Sequence, residues 1–189
     1  NSGISLGSNC VRNTICYNVI NNVIKKNAFG IELRGSNGCI IVGNRIMNTS
    51  WLGTGIYVVD SSNNVIHYNT IVNNSMGAYI TSGSSLLNTF YHNNFIDNPS
   101  HAKDFGSDTA WDNGAEGNYW SDYDGNDTDG DGIGDSLYLV PDFGNDNFPL
   151  MEPWSPYRVF PYNVTTFSNS TLASFNFSQP LKQISFNVT

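Results

Sequence analysis

Positive charge is scarce in this 189-residue chain: eight lysines and arginines face sixteen aspartates and glutamates, for a net charge of −8. That balance excludes a nucleic-acid partner, which needs a basic surface. No run of about 18 apolar residues occurs, so nothing in the sequence reads as a membrane-spanning helix. No charged-then-apolar leader is present, and the pattern starts midway at Asn1, as expected of a processed or excised piece. Cysteine is sparse too. Cys10, Cys16 and Cys39 are too few for a disulfide framework and lack CxxC spacing. In an oxidising compartment one bridge can form, and Cys10–Cys39 is the pair expected.

What charge there is falls unevenly. Residues 1–103 hold six basic residues and three acids, Glu32, Asp60 and Asp97, whereas residues 104–157 hold thirteen acids and no lysine or arginine. After Pro156 the acids vanish and Ser, Thr, Asn and Phe take over. Three segments follow: 1–98, 99–156 and 157–189. Asn-x-Ser/Thr sequons start at Asn48, Asn73, Asn126, Asn163, Asn169, Asn176 and Asn187. Their crowding toward the end favours an exported, cell-surface protein with these asparagines as candidate glycosylation sites.

The first hundred residues repeat. In "NTICYNVINN", "GCIIVGNRIMN", "NNVIHYNTIVNN" and "LNTFYHNNFIDN", Asn18, Asn44, Asn69 and Asn93 share one column. Ile15, Ile41, Ile66 and Phe90 share a second, and Ile20, Ile46, Ile71 and Phe95 a third. Each repeat opens on glycine: "GISL", "GIEL", "GIYV" and "GAYI". Short strands of period two, broken by Gly, Ser and Asn, at intervals of about 22–27 residues predict an all-β parallel solenoid. Its apolar columns face inward. Its asparagines hydrogen-bond from coil to coil and supply the left-handed conformation that the bend needs.

"GIYVVDSSNNVIHYNTIVNN" resembles repeats of right-handed parallel β-helices in the pectin-lyase-like superfamily, the NosD-like, carbohydrate-binding and sugar-hydrolase group. "AWDNGAEGNYWSDYDGNDTDGDGIGD" and "DNFPLMEPW" resemble the segment closing such helices in archaeal surface proteins. The resemblance implies a β-helix closed by a C-terminal cap, over residues 3 to about 157.

Within that cap "DTDGDGIGD" (127–135) crowds four carboxylates into nine residues. Like charges at about 5 Å in water repel by just under 1 kcal/mol per pair. Either the turn is extended and solvated, or a cation sits in it. Oxygens at alternate positions followed by glycine match half of an EF-hand loop, and the stretch resembles a thrombospondin type 3 calcium repeat. The expected ligands are Asp127, Asp129, Asp131, the Ile133 carbonyl and Asp135, holding calcium that stabilises the cap.

Catalysis finds little support. Sugar-cleaving β-helices, hydrolases and lyases, work with paired carboxylates or with a calcium site and a basic residue on one face of the coils. Here Glu32, Asp60 and Asp97 occupy unmatched offsets, the acidic loop lies beyond the coils, and Arg34 and Arg45 read as surface charges. The NosD resemblance also implies copper, which wants clustered Cys, Met or His; His67, His92 and His101 fall in different columns, and Met47, Met76 and Met151 are scattered. Two non-catalytic readings remain. One is a structural or assembly protein of a cell surface or filament, whose partners are other copies of itself or neighbouring surface proteins. The other is carbohydrate binding, with Tyr57 and Tyr79 in one outward column and Tyr17, Tyr68 and His92 in another. In the tail, "ASFNFS" and "QISFNVT" alternate as β-strands resembling part of a β-sandwich, whose apolar face needs a cover.

Overall fold

A computed structural model of the chain describes residues 2–156 apart from 9, 22–27, 50–51 and 82–83. The strands expected in the tail, and the sequons at Asn163, Asn169, Asn176 and Asn187, lie outside the described residues. Among the described residues every regular element is a strand. The first coil holds β1 (Ser2–Leu6), β2 (Thr14–Cys16) and β3 (Val19–Asn21). The second holds β4 (Phe29–Arg34), β5 (Ile40–Val42) and β6 (Arg45–Met47). The third holds β7 (Thr54–Val59), β8 (Val65–His67) and β9 (Thr70–Val72), and the fourth β10 (Met76–Ile80), β11 (Thr89–Tyr91) and β12 (Asn94–Ile96). Two further strands, β13 (Ala102–Asp104) and β14 (Tyr119–Trp120), carry the coil path onward before a hairpin of β15 (Tyr138–Val140) and β16 (Gly144–Asp146).

Equivalent strands pair in parallel, giving three sheets in the orders β1-β4-β7-β10-β13, β2-β5-β8-β11 and β3-β6-β9-β12-β14. The chain is a parallel β-solenoid of about four turns, as the repeat predicts. Register places Ile15, Ile41, Ile66 and Phe90 in one column. Ile20, Ile46, Ile71 and Phe95 form another, and Ile31, Ile56 and Ala78 a third. From the second coil onward these side chains are wholly buried. Each such Ile contributes roughly 1.5–3 kcal/mol of burial. The glycine at the start of the first-sheet strands has a packing reason. A Cβ on Gly30 would lie 2.6 Å from the Gly55 carbonyl oxygen, and one on Gly55 2.6 Å from that of Gly77.

The asparagine column forms a continuous ladder. Asn44 donates its backbone N–H (2.9 Å) and its Nδ2 (3.0 Å) to Asn69 Oδ1. Asn69 does the same to Asn93, at 3.1 and 2.9 Å, and its Nδ2 also reaches back 2.8 Å to the Ile41 carbonyl. Each amide therefore ties three successive coils. The expectation that asparagine itself turns the corner holds at other bends, where Asn48, Asn63 and Asn73 are left-handed (φ 55°, 57° and 52°), and is corrected for this ladder's asparagine. The left-handed residue is the one before it: Tyr17 (φ 53°), Gly43 (66°), Tyr68 (59°) and His92 (55°). The ladder needs both N–H donors of the asparagine aimed along the axis, so its neighbour takes the strained conformation.

Other bends repeat the device. Asn64 and Asn88 form a second ladder that Cys39 joins through its N–H, 2.8 Å from Asn64 Oδ1. Thr49, Asn74 and Asn98 form a third. Cys39 is buried, and all three cysteines are free thiols, so the expected Cys10–Cys39 bridge is corrected. Cys39 occupies an inward ladder position, with its Sγ turned to the Cys10 carbonyl at 3.9 Å.

Past the fourth coil, aromatic rings close the stack. Trp111 lies on Phe90 at 4.5 Å, Trp120 on Phe95 at 4.4 Å, and Tyr138 on Trp120 at 4.3 Å between centroids. The main ladder ends on Asp146, whose Oδ2 accepts the Asn118 N–H (2.7 Å) and the Trp120 indole N–H (2.9 Å). A Cβ on Gly117 would sit 1.8 Å from that carboxylate, so the position admits only glycine.

Replacing Asn69 by Ala takes the acceptor from the buried Asn44 N–H, while the Asn44 Nδ2 keeps the Ile15 and Val42 carbonyls, and should cost roughly 1–3 kcal/mol. Asn21→Ala, at an exposed strand end, should stay within about 0.5 kcal/mol. Urea denaturation of the two variants measures the difference; equal losses would contradict the ladder's role.

Candidate functional site

The acidic loop is held by its own backbone. Asp127 Oδ1 accepts the Gly130 N–H (2.8 Å) and Oδ2 the Gly132 N–H (2.9 Å); Asp131 Oδ1 accepts the Ile133 N–H at 2.8 Å. Slight desolvation pushes Asp127 upward, but the Gly132 and Gly130 amides outweigh it and hold the carboxyl below its ordinary range. Of the five expected ligands, Asp127, Asp129 and Asp131 come within 4.8 Å of one another. Asp135 is not in that group; its Oδ2 takes the Thr128 N–H and hydroxyl at 2.9 and 2.5 Å. Ile133 forms an antiparallel bridge with Leu150. The crowding of charge is met at least in part by N–H and O–H donors of the loop.

The coil carboxylates stay apart. Glu32 accepts Ser2 Oγ (2.5 Å) and Ser5 Oγ (3.2 Å) on one oxygen and Arg34 (2.7 Å) on the other. Desolvation raises its pKa, yet the Ser2 and Arg34 hydrogen bonds prevail and hold the carboxyl below its ordinary value. Asp60 and Asp97 take left-handed corner conformations (φ 48° and 50°) in different bends.

Two rows of rings line the outside. On the first sheet Tyr57 and Tyr79 are register partners, as the outward column predicts. Phe29 stacks on Tyr57 (4.1 Å, 6°), Tyr79 lies 5.7 Å from Tyr57, and Phe105 and Phe143 extend the row at 5.9 and 6.2 Å. The Arg34 guanidinium stands 6.0 Å from the Tyr57 ring centre. At the corner, Tyr68 stacks on His92 at 5.3 Å, and Trp154 covers Tyr68 at 4.0 Å. Trp154 is pinned by reciprocal hydrogen bonds with Asn94, 2.7 and 3.0 Å. Tyr17 instead lies over Gly43, where a Cβ would meet its ring at 2.6 Å. His92 Nε2 meets Glu116 at 2.5 Å.

Candidate glycosylation asparagines differ in setting. The Asn48 Nδ2 donates to Asn21 and the Asn73 Nδ2 to Asn48, at 2.8 and 2.6 Å. Asn126 is exposed in the acidic loop.

Two buried carboxylates escape sequence reasoning. Asp104 accepts the Trp111 indole N–H at 2.8 Å and the Gly106 N–H at 2.8 Å. Asp146 accepts four N–H donors in all, those of Asn118 (backbone and Nδ2), Trp120 and Phe148. Burial still wins there and pushes its carboxyl up to about 6. The available signal was the pairing of two tryptophans with acids in an otherwise Asn-laddered repeat.

The profile described as "Periplasmic copper-binding protein (NosD)" matches residues 1–125, and the chain belongs to that family. It is 37% identical over 87 residues to "Probable ABC transporter binding protein NosD" of Pseudomonas aeruginosa, covering 46% of this chain and 20% of the relative. The same figures hold for the protein of that name in Stutzerimonas stutzeri. The chain thus spans about a fifth of the length of the curated relatives it matches. The family description corrects the calcium expectation, since the metal it names is copper. The loop donors supply the physical reason that four carboxylates can sit together without that ion.

Asp146 makes stability depend on pH. Its folded pKa is about 6, above the ordinary 3.8, so its contribution is fully present below about 3.8 and lost as pH rises through 6. Between pH 7 and pH 5 the parent chain should gain about 1 kcal/mol relative to Asp146→Asn. Paired denaturation curves at the two pH values measure this, and a constant difference would count against a buried titrating carboxylate.

Proposed function

We propose that this chain acts outside the cytoplasm as a non-catalytic binding module, presenting the outer face of its first sheet to a glycan. The observation that carries the non-catalytic part is Glu32. Both its oxygens are committed to Ser2, Ser5 and Arg34, and these bonds hold its pKa below the ordinary value, which does not suit a general acid. The relatives' description as transporter binding proteins supports binding over turnover, and the family's as periplasmic supports the location.

The binding face draws support from the ring row of Tyr57, Tyr79, Phe105 and Phe143 beside the fixed Glu32–Arg34 pair. Phe29 and Tyr57 spend their facing surfaces on each other, so the open end of the row, with Phe143 77% exposed, offers the better platform. The second reading is assembly with other copies of the chain or with neighbouring surface proteins.

A glycan array followed by titration tests the first reading. Tyr79→Ala with Phe143→Ala should weaken binding of any captured sugar about tenfold or more, while pectin, polygalacturonate and alginate remain uncut. An array without hits, together with concentration-dependent light scattering, would favour assembly instead.

A further inference from the structure

The family is described as copper-binding, and the chain holds three cysteines, three histidines and three methionines. All nine lie within the described residues, so the donor set can be placed completely. Copper takes thiolate, thioether and imidazole donors, gathered in twos to fours about one point.

The coil disperses them. Cys39 is inside, filling a ladder position with its Sγ turned to the Cys10 backbone carbonyl; Cys10 is half-buried between β1 and β2, and Cys16 is exposed on β2. In the register of the second sheet Cys16 is followed by Val42, His67 and Tyr91, so an apolar residue separates the thiol from the imidazole. Met47 stands on the third sheet between Asn21 and Val72, and Met76 on the first beside Thr54. Met151 belongs to the cap, its N–H bonded to the Gly132 carbonyl at 3.0 Å. His101 is buried between Asn98 and Ser121, at 3.4 and 3.3 Å, with Asp122 at 3.2 Å.

One pair deserves separate weight. His67 has a buried Nδ1 without a hydrogen-bond partner, and burial followed by the neighbouring His92 lowers its pKa. Yet the His92 Nε2 is held by Glu116, and no third His, Cys, Asp or Glu ligand atom joins the two imidazoles within 4.8 Å. The one such group among the described residues is Asp127, Asp129 and Asp131, an all-oxygen set that suits hard cations rather than copper. The donors do not fit a copper centre.

We infer that this chain provides the NosD coil without a copper site of its own. The disagreement lies between the family's description and the placement of this chain's donors. It does not depend on what the outer face of the first sheet binds.

Competition for copper tests it on the full chain. Cu(I), under reductant, is offered to equimolar protein and a chromophoric chelator, for the parent chain, Cys16→Ser and His67→Phe; Cu(II) is offered in parallel without reductant. The expected result is that the chelator keeps the copper in every case and the melting temperature is unchanged. Copper withheld by the parent chain but not by Cys16→Ser marks an adventitious exposed thiol and leaves the inference standing. One equivalent withheld by the Cys16→Ser chain, in either oxidation state, overturns it, and its loss in His67→Phe would locate the site at the imidazole pair.

Discussion

A side-chain amide that hydrogen-bonds both forward and backward along the solenoid axis holds this fold in register. Asn44, Asn69 and Asn93 each accept two N–H donors from the coil before and give two to the coil after. Such bonds contribute a modest net amount when made, about 0.5–1.5 kcal/mol each, but leaving one unmade in the interior costs more. That asymmetry makes slippage expensive. A coil shifted by one residue would lose its ladder and its isoleucine column together.

The constraint propagates to the ends and the outside. A ladder of donors pointing one way needs an acceptor at its finish, and Asp146 supplies one that can take several N–H groups and give none. The indole N–H groups of Trp120 and Trp111 need partners once buried, and each finds a carboxylate. Outward, register fixes which side chains are neighbours. It places Tyr57 beside Glu32 and Tyr79 beside Lys103 on the first sheet. It also keeps the cysteine, histidine and methionine donors from gathering: Cys16 and His67 share a column, but Val42 stands between them. The solenoid is a ruler, and its outer surface offers rows rather than pockets. A binding function spread along a row agrees with that geometry better than a closed catalytic cleft.

Much of this was legible in the sequence because stacking turns period into contact. The columns of Asn18, Asn44, Asn69 and Asn93, and of Ile15, Ile41, Ile66 and Phe90, are visible as spacing alone. The glycine openers were visible too, although their reason, backbone approaching backbone at Gly30 and Gly55, was not. Which corner residue is left-handed was misread because asparagine's own tolerance for that conformation hid its task in the ladder. Asp104 and Asp146 were misread with the acidic segment around them. Charge in a crowded loop suggests solvent or a cation, and the tryptophan that buries Asp146 lies 26 residues earlier. The Phe29–Tyr57 stack was hidden for another reason: in register Phe29 pairs with Thr54, so only the lean of its side chain brings the rings together. Calcium was read from a loop whose carboxylates bond their own backbone amides.

The central claim is that the asparagine ladder, more than the strands alone, fixes the coils. Native-state hydrogen exchange followed residue by residue tests it most directly. The backbone amides of Asn44, Asn69 and Asn93, though they sit at bends between short strands, should exchange only through global unfolding, as slowly as those of Ile41 and Ile66. Exchange of these three at the rate of ordinary exposed turn amides, with the strand amides still protected, would contradict the account.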